Sequence, residues 1–222
     1  MSPEILSLIH EITAWAVPVL IAITFHEAAH AYAAWKLGDD TAHRLGRVSF
    51  NPFRHMDMFG TVLLPALLLL TRAPFLFGWA RPVPVAYRRL RRPRRDMMLV
   101  ALAGPASNLA LALVSALLMR VAGLLPEVAW VTAMLQLSVL INLVLAIFNM
   151  IPIPPLDGGR ILVGLLPPSL ARHLARLERY GLVLIIALFL LVPTPGRQAG
   201  MDLNPLRWLI AAPLSWLSPF FS

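Results

Sequence analysis

"TFHEAAHAY", Thr24–Tyr32, stands near the end of an apolar run that begins at about residue 12. Two histidines and a glutamate sit in a segment otherwise suited to a lipid bilayer. An ionisable side chain at membrane depth is costly and is kept there for function. The stretch therefore fixes two readings together, a membrane-spanning helix and a reactive centre carried on it.

Composition supports the first reading. Of the 222 residues, 59% are apolar and 14% are charged, with a mean hydropathy of +0.74. Soluble domains hold about 45–50% apolar and about 25% charged residues. The expectation is an all-α polytopic membrane protein, a single domain over residues 1–222. No long polar stretch is present to build a separate soluble unit. Residues before the first apolar run include no Lys or Arg, unlike the basic start of a secretory signal, so this run is expected to be retained as a span.

Four segments read as transmembrane helices: 12–35, 97–120, 131–151 and 180–192, the last short for the ~20 residues a span needs. A fifth patch, "TVLLPALLLLT" (Thr61–Thr71), has a central proline and Arg72 directly after it. Its length is that of a re-entrant or interfacial piece. The tail 206–221 fits either an interfacial helix or a last short span, which gives about four to five spans in all. The polar loop 38–58 is suited to short strands. Residues 81–96, "RPVPVAYRRLRRPRRD", carry seven arginines and prolines at 82, 84 and 93, which predicts an extended surface segment.

The net charge of +8 lies mostly in Arg-rich loops between apolar segments. That pattern belongs to loops facing anionic lipid on the cytoplasmic side of a bilayer, not to nucleic-acid binding. There are no cysteines, so disulfides, thiolate metal sites and a cysteine nucleophile are excluded.

His26 and His30 lie at i and i+4, on one face of a helix, with Glu27 beside them. That spacing allows two imidazoles to bind one Zn²⁺ while the carboxylate serves as general base. Catalytic zinc normally takes three protein ligands. His10, His43, His55 and His173 are available for the third place. His43 and His55 fall in the polar loop and His173 among arginines, positions where a solvated imidazole is expected. Asp157 is distinctive as the only acid between Glu127 and Glu178. It closes the third long apolar run in "FNMIPIPPLDGGRIL", where Pro152, Pro154 and Pro155 prevent a regular helix and Gly158–Gly159 permit a tight turn. That suits an acid presented on an unwound segment at membrane depth, or an N-cap for the following helix.

Taken together, "HEAAH", "NPFRHMDMFGT" (Asn51–Thr61), "GWARPVPV" (Gly78–Val85), "ALAGPASN" (Ala101–Asn108) and "FNMIPIPPLDGGR" (Phe148–Arg160) resemble the site-2 protease family of intramembrane zinc metalloproteases. The resemblance is to its small bacterial members, which lack an added PDZ or CBS domain. It implies His26, His30 and Asp157 as ligands of one zinc ion, Glu27 as base, and Asn149 as a donor to the substrate carbonyl or its oxyanion. Asn108 matches an element expected to serve helix packing. The pair His55 and Asp57 recurs in that subgroup without an assigned mechanism. Substrates implied are single-span membrane proteins or leftover signal peptides, cut within or near the transmembrane segment in regulated intramembrane proteolysis. A membrane metal-ion transporter or sensor using the same His–His–Asp set is the alternative reading.

Ligands of one metal must lie at one depth. "HEAAH" and Asp157 both fall at the C-terminal ends of their apolar runs, so the two helices must run parallel, with an odd number of spans between them. A re-entrant Thr61–Thr71 leaves one. Residues 36–95 and 160–179 then share a side and hold 12 and 4 of the 19 basic residues. Positive-inside bias makes that side the cytoplasm, puts the N-terminus outside and sets the zinc site toward the cytoplasmic leaflet of the cell membrane.

Overall fold

The computed structural model describes residues 3–71, 78–122, 129–188 and 204–221. Helices α1 (Pro3–Lys36), α3 (Pro93–Ala122) and α4 (Ala129–Asn149) pack against one another as a three-helix bundle. Among the described residues these are the three helices long and apolar enough to cross a membrane. Short helices complete the chain: α2 (Leu64–Leu70), α5 (Asp157–Leu165), α6 (Pro168–Arg176), α7 (Gly181–Ile186) and α8 (Ala212–Leu217). The expected span over 180–192 begins as α7, and its last residues lie outside the described part. The tail is helical and lies against α4.

The bundle closes on two stripes of fourfold spacing. On α1 the buried positions include Ala14, Pro18, Ala22, His26, His30 and Ala34; on α3 they include Val100, Gly104, Asn108, Ala112 and Ala116. Residues four apart share one helix face. Small side chains there let the backbones approach closely, which supplies the packing that drives helix association in lipid. The opposite face of α3 exposes Leu102, Leu109, Leu113, Leu117 and Val121, an apolar surface whose natural surroundings are acyl chains.

Gly38, at φ +113°, ends α1 in a conformation that L side chains avoid. The polar loop that follows contains no strand. Asp39 accepts from the Thr41 N–H and opens a helical turn at Thr41–Arg44, while Asn51 accepts from the Phe53 N–H and caps the 3-10 turn Pro52–Arg54. These local side-chain bonds occupy the backbone groups that a strand ladder would need.

Asp57 caps the short apolar helix that begins at Met58: its Oδ1 accepts from the N–H of Phe59 and of Gly60, at 3.1 and 2.7 Å. The chain that leaves here is back at Trp79, whose N–H donates to the Gly60 carbonyl at 3.1 Å, and the Thr61 hydroxyl donates to the Trp79 carbonyl at 2.8 Å. The two ends of the segment expected to be re-entrant thus meet at one place.

Residues 78–86 are extended, as the prolines dictate, with Arg81 and Pro82 exposed as expected, but the segment is anchored inward. Val83 is buried, the Arg81 N–H donates to the His55 carbonyl, and the Ala86 N–H donates to the Asp39 carboxylate. Helix α3 also begins earlier than expected, at Pro93. Proline suits a first helical turn, and buried Asp96 reaches back to accept the Arg92 N–H at 2.6 Å, an arrangement like a capping box.

Candidate active site

Helix α1 carries His26 and His30 inward, toward α3. The His26 Nδ1 lies 2.6 Å from the Asn108 Oδ1, and the His30 Nδ1 lies 2.7 Å from the Val100 carbonyl oxygen. Both partners accept, so each neutral ring carries its proton on Nδ1 and turns an unprotonated Nε2 to the same spot. Gly104 makes the room. A Cβ there would come within 2.6 Å of His26 Cε1 and 2.5 Å of His30 Cε1.

Asp157 reaches that spot from the start of α5. After α4 ends at Asn149, the chain turns through residues 150–156 and folds back on itself. A Cβ on Gly158 would lie 2.7 Å from the Ile151 carbonyl oxygen, and one on Gly159 would lie 2.7 Å from Pro154 Cα. Only glycine at both positions lets the first turn of α5 press on that loop and bring the carboxylate to the histidines.

The His26 Nε2 is 3.0 Å from the His30 Nε2, and the Asp157 Oδ2 is 3.2 and 3.3 Å from the two nitrogens. All three side chains are buried, and the Asp157 Oδ2 has no hydrogen-bond partner. With the ring protons on Nδ1, three electron-pair donors converge with no hydrogen between them. Such an arrangement is repulsive unless a cation sits among them. Tetrahedral zinc ligands at ~2.0–2.1 Å from the metal stand about 3.3 Å from one another, so the donor set fits zinc in type, number and spacing. Among the described residues it is the one group of this kind. The second bond of each imidazole, to an amide and to a backbone carbonyl, is the support that metal-binding histidines characteristically have.

Glu27 stands beside the triad, half-buried, with its Oε2 accepting the Val83 N–H at 2.9 Å. It lines a cavity of about 290 Å³ together with His26, His30, Asn149 and Asp157. Asn149 gives one amide hydrogen to the Leu145 carbonyl of its own helix at 3.0 Å. The extended residues 78–85 form the facing wall. A second cavity of about 520 Å³, with Arg94, Arg160, Arg172 and Glu178 on its lining, adjoins through Val83, Val85 and Arg160.

The remaining histidines lie elsewhere. His10 is exposed beside Trp130, His43 is exposed and stacked on Trp35, and His173 is exposed on α6. His55 departs from expectation. It is 1% exposed, and its Nε2 donates to the Ser49 carbonyl at 2.7 Å. Burial pushes its pKa below that of free histidine. With the His55 carbonyl holding the Arg81 N–H and Asp57 capping the short apolar helix after it, the His55–Asp57 pair serves to fix the loop and the extended wall. Asn108 likewise does more than pack, since it orients a member of the triad. Gly104 and the Val83 N–H were not legible as site elements. The signal that could have raised the first is its place midway between Val100 and Asn108 in a stripe of fourfold spacing.

The family model for peptidase family M50 matches residues 123–193. Over 197 residues the chain is 41% identical to YwhC of Bacillus subtilis (strain 168), which bears a zinc-metalloprotease name, covering 84% of this chain and 86% of that one. It is 32% identical over 210 residues to Rip2 of Mycobacterium tuberculosis (strain H37Rv), which bears a name of the same kind, covering 91% and 78%. No solved structure matches. Relatives this similar, aligned over most of both chains, share the family of the chain: it belongs to peptidase family M50, the site-2 proteases.

Proposed function

We propose that the protein is an intramembrane zinc metalloprotease that hydrolyses a peptide bond in or near a transmembrane segment of a membrane-protein substrate. The observation that carries this reading is the convergence of His26, His30 and Asp157 at 3.0–3.3 Å with Glu27 on the same cavity.

His26, His30 and Asp157 would hold zinc, which would supply a Lewis acid to acidify the attacking water and polarise the substrate carbonyl. Glu27 takes the proton of the attacking water and returns it to the departing amide nitrogen. The Val83 N–H holds one of its oxygens, which aims the other into the cavity. Asn149 keeps one amide hydrogen beyond the one spent on Leu145, available to the oxyanion.

A helical substrate hides its carbonyls in i→i−4 hydrogen bonds and must unwind before attack. The extended wall at 78–85 offers the unwound chain a strand to lie against. Pro82 and Pro84 have no N–H and the Val83 N–H is spent on Glu27, so pairing falls to the Val83 carbonyl and the Val85 N–H. The adjoining cavity receives the chain beyond the scissile bond. The polar side chains that extend from His26 into the bundle are spent on bonds to one another and to backbone carbonyls, which favours a protease over a metal-ion transporter.

Chelating the metal in membranes that contain the protein is expected to stop new cleavage inside predicted spans, and stoichiometric zinc to restore it. Undiminished cleavage by zinc-free protein would refute the reading. The protein is proposed to be a multi-pass protein of the cell membrane with its N-terminus outside and its site toward the cytoplasm. Reporter fusions at Thr41 and Gly123 should then report opposite sides, and the same side for both would overturn that topology.

A further inference from the structure

A chain of buried polar side chains leads from the metal site into the bundle. Beyond the His26–Asn108 bond, the Asn108 Nδ2 donates to the Ala22 carbonyl at 3.2 Å and to the Asn142 Oδ1 at 2.8 Å. The Asn142 Nδ2 donates to the Ser138 carbonyl at 2.8 Å, and the Ser138 and Ser115 hydroxyls are 2.8 Å apart. Both asparagines are 0% exposed. Polar side chains at such positions in a membrane bundle are expensive unless fully bonded. Here each amide finds partners at both of its ends.

The chain also has a direction. A carboxamide can turn either its oxygen or its NH2 toward a neighbour, and its surroundings decide which. The Ser138 carbonyl can only accept, so it holds the NH2 of Asn142 and turns the Asn142 oxygen toward Asn108. That oxygen and the Ala22 carbonyl take both amide hydrogens of Asn108, which leaves the Asn108 oxygen for His26. His26 then carries its proton on Nδ1, and its Nε2 keeps the lone pair that a metal requires. Were Asn108 to turn over, its NH2 would face Nδ1, the proton would move to Nε2, and that nitrogen could not ligate.

We infer that Asn142 is a positioning residue for the metal site: by fixing the orientation of the Asn108 carboxamide it sets the His26 tautomer that leaves Nε2 free for zinc. The inference rests on the zinc reading of the triad but not on proteolysis. Without Asn142, the orientation of Asn108 rests on the longer bond to Ala22, and one buried N–H is left without a partner.

The test uses the purified full chain in detergent, with zinc affinity measured by competition with a chelator and thermal stability measured beside it. Asn142→Leu is expected to weaken zinc binding about 10-fold, at the lower end of the ~10–100-fold that outer-shell partners of metal-binding histidines carry. Asn142→Asp is expected to stay near wild type, because a neutral carboxyl also offers a donor to Ser138 and an acceptor to Asn108. Ser115→Ala breaks the far end of the chain and should leave affinity unchanged.

Wild-type affinity in Asn142→Leu, or equal weakening in Ser115→Ala, would overturn the inference and leave the chain as packing. A second readout does not depend on any Asn142 variant folding. In metal-free wild type labelled with ¹⁵N-histidine, the His26 signal, assigned by its absence from His26→Ala, should show Nδ1 protonated, whether or not a proton takes the metal's place on Nε2. An Nε2–H tautomer would sink the proposal. Neither measurement needs a substrate, so a protein that behaves as expected here yet cuts nothing would count against the protease reading alone.

Discussion

Glu27→Gln is expected to keep one zinc per chain and to lose turnover by roughly 10³-fold or more, within or beyond the ~10²–10⁴-fold that positioned acid–base groups contribute. The amide has the shape of the carboxylate, and its oxygen can still accept the Val83 N–H that Glu27 Oε2 accepts at 2.9 Å. The substitution therefore leaves the cavity wall and the three ligands in place. It removes only the capacity to take a proton from water and hand it to the leaving nitrogen. Zinc content by elemental analysis, set against cleavage rate, separates the two effects. Loss of zinc in this variant would show that Glu27 holds the site together, and unchanged cleavage would exclude it as the base.

Gly104→Ala is expected to weaken zinc binding by at least about 100-fold, although the residue binds nothing. A Cβ at that position would lie 2.5 and 2.6 Å from the Cε1 atoms of His30 and His26. The helices cannot slide apart freely, because the His26–Asn108 and His30–Val100 bonds tie α1 to α3 at the same level. The strain falls on the rings, whose Nε2 atoms must hold a metal within about 0.2 Å of ideal distances. Overpacking also costs about 1–3 kcal/mol of stability. Zinc retained after dialysis against a chelator is the readout, with a folded fraction confirmed by thermal unfolding. Wild-type affinity in a folded Gly104→Ala protein would show that the helices part without cost.

Much of this site can be read from the chain alone because its parts follow local rules. The i, i+4 spacing of His26 and His30 states that they share a helix face, and helix α1 delivers it. Asp157 stands out as a lone acid after a proline-rich end to an apolar run, and two glycines show that the backbone there turns tightly. The parity of spans between the two motifs argues for a returning segment at 61–71, and the bond joining Trp79 to Gly60 brings the two ends of that stretch together.

What escapes the chain is contact between distant residues and the work of backbone groups. Asn108 is 82 positions from His26, and no local pattern says which of its amide atoms faces the ring. The Val83 N–H belongs to no side chain and leaves no residue signature at all. The loop 38–58 misleads for a different reason. Its polar residues suit an exposed strand, yet Asp39 and Asn51 spend their side chains on nearby N–H groups and curl it into turns. His55 sits in that loop as an apparently solvated residue and is buried because its ring bonds back to Ser49.

Proteolysis within the membrane is tested by comparing the termini of membrane proteins in cells carrying the wild-type chain or Glu27→Gln, both shown to hold zinc. New termini inside predicted spans, present only with the wild type, are the expected result and would also identify the substrates. Identical termini from two zinc-loaded proteins would show that the chain is not an intramembrane protease.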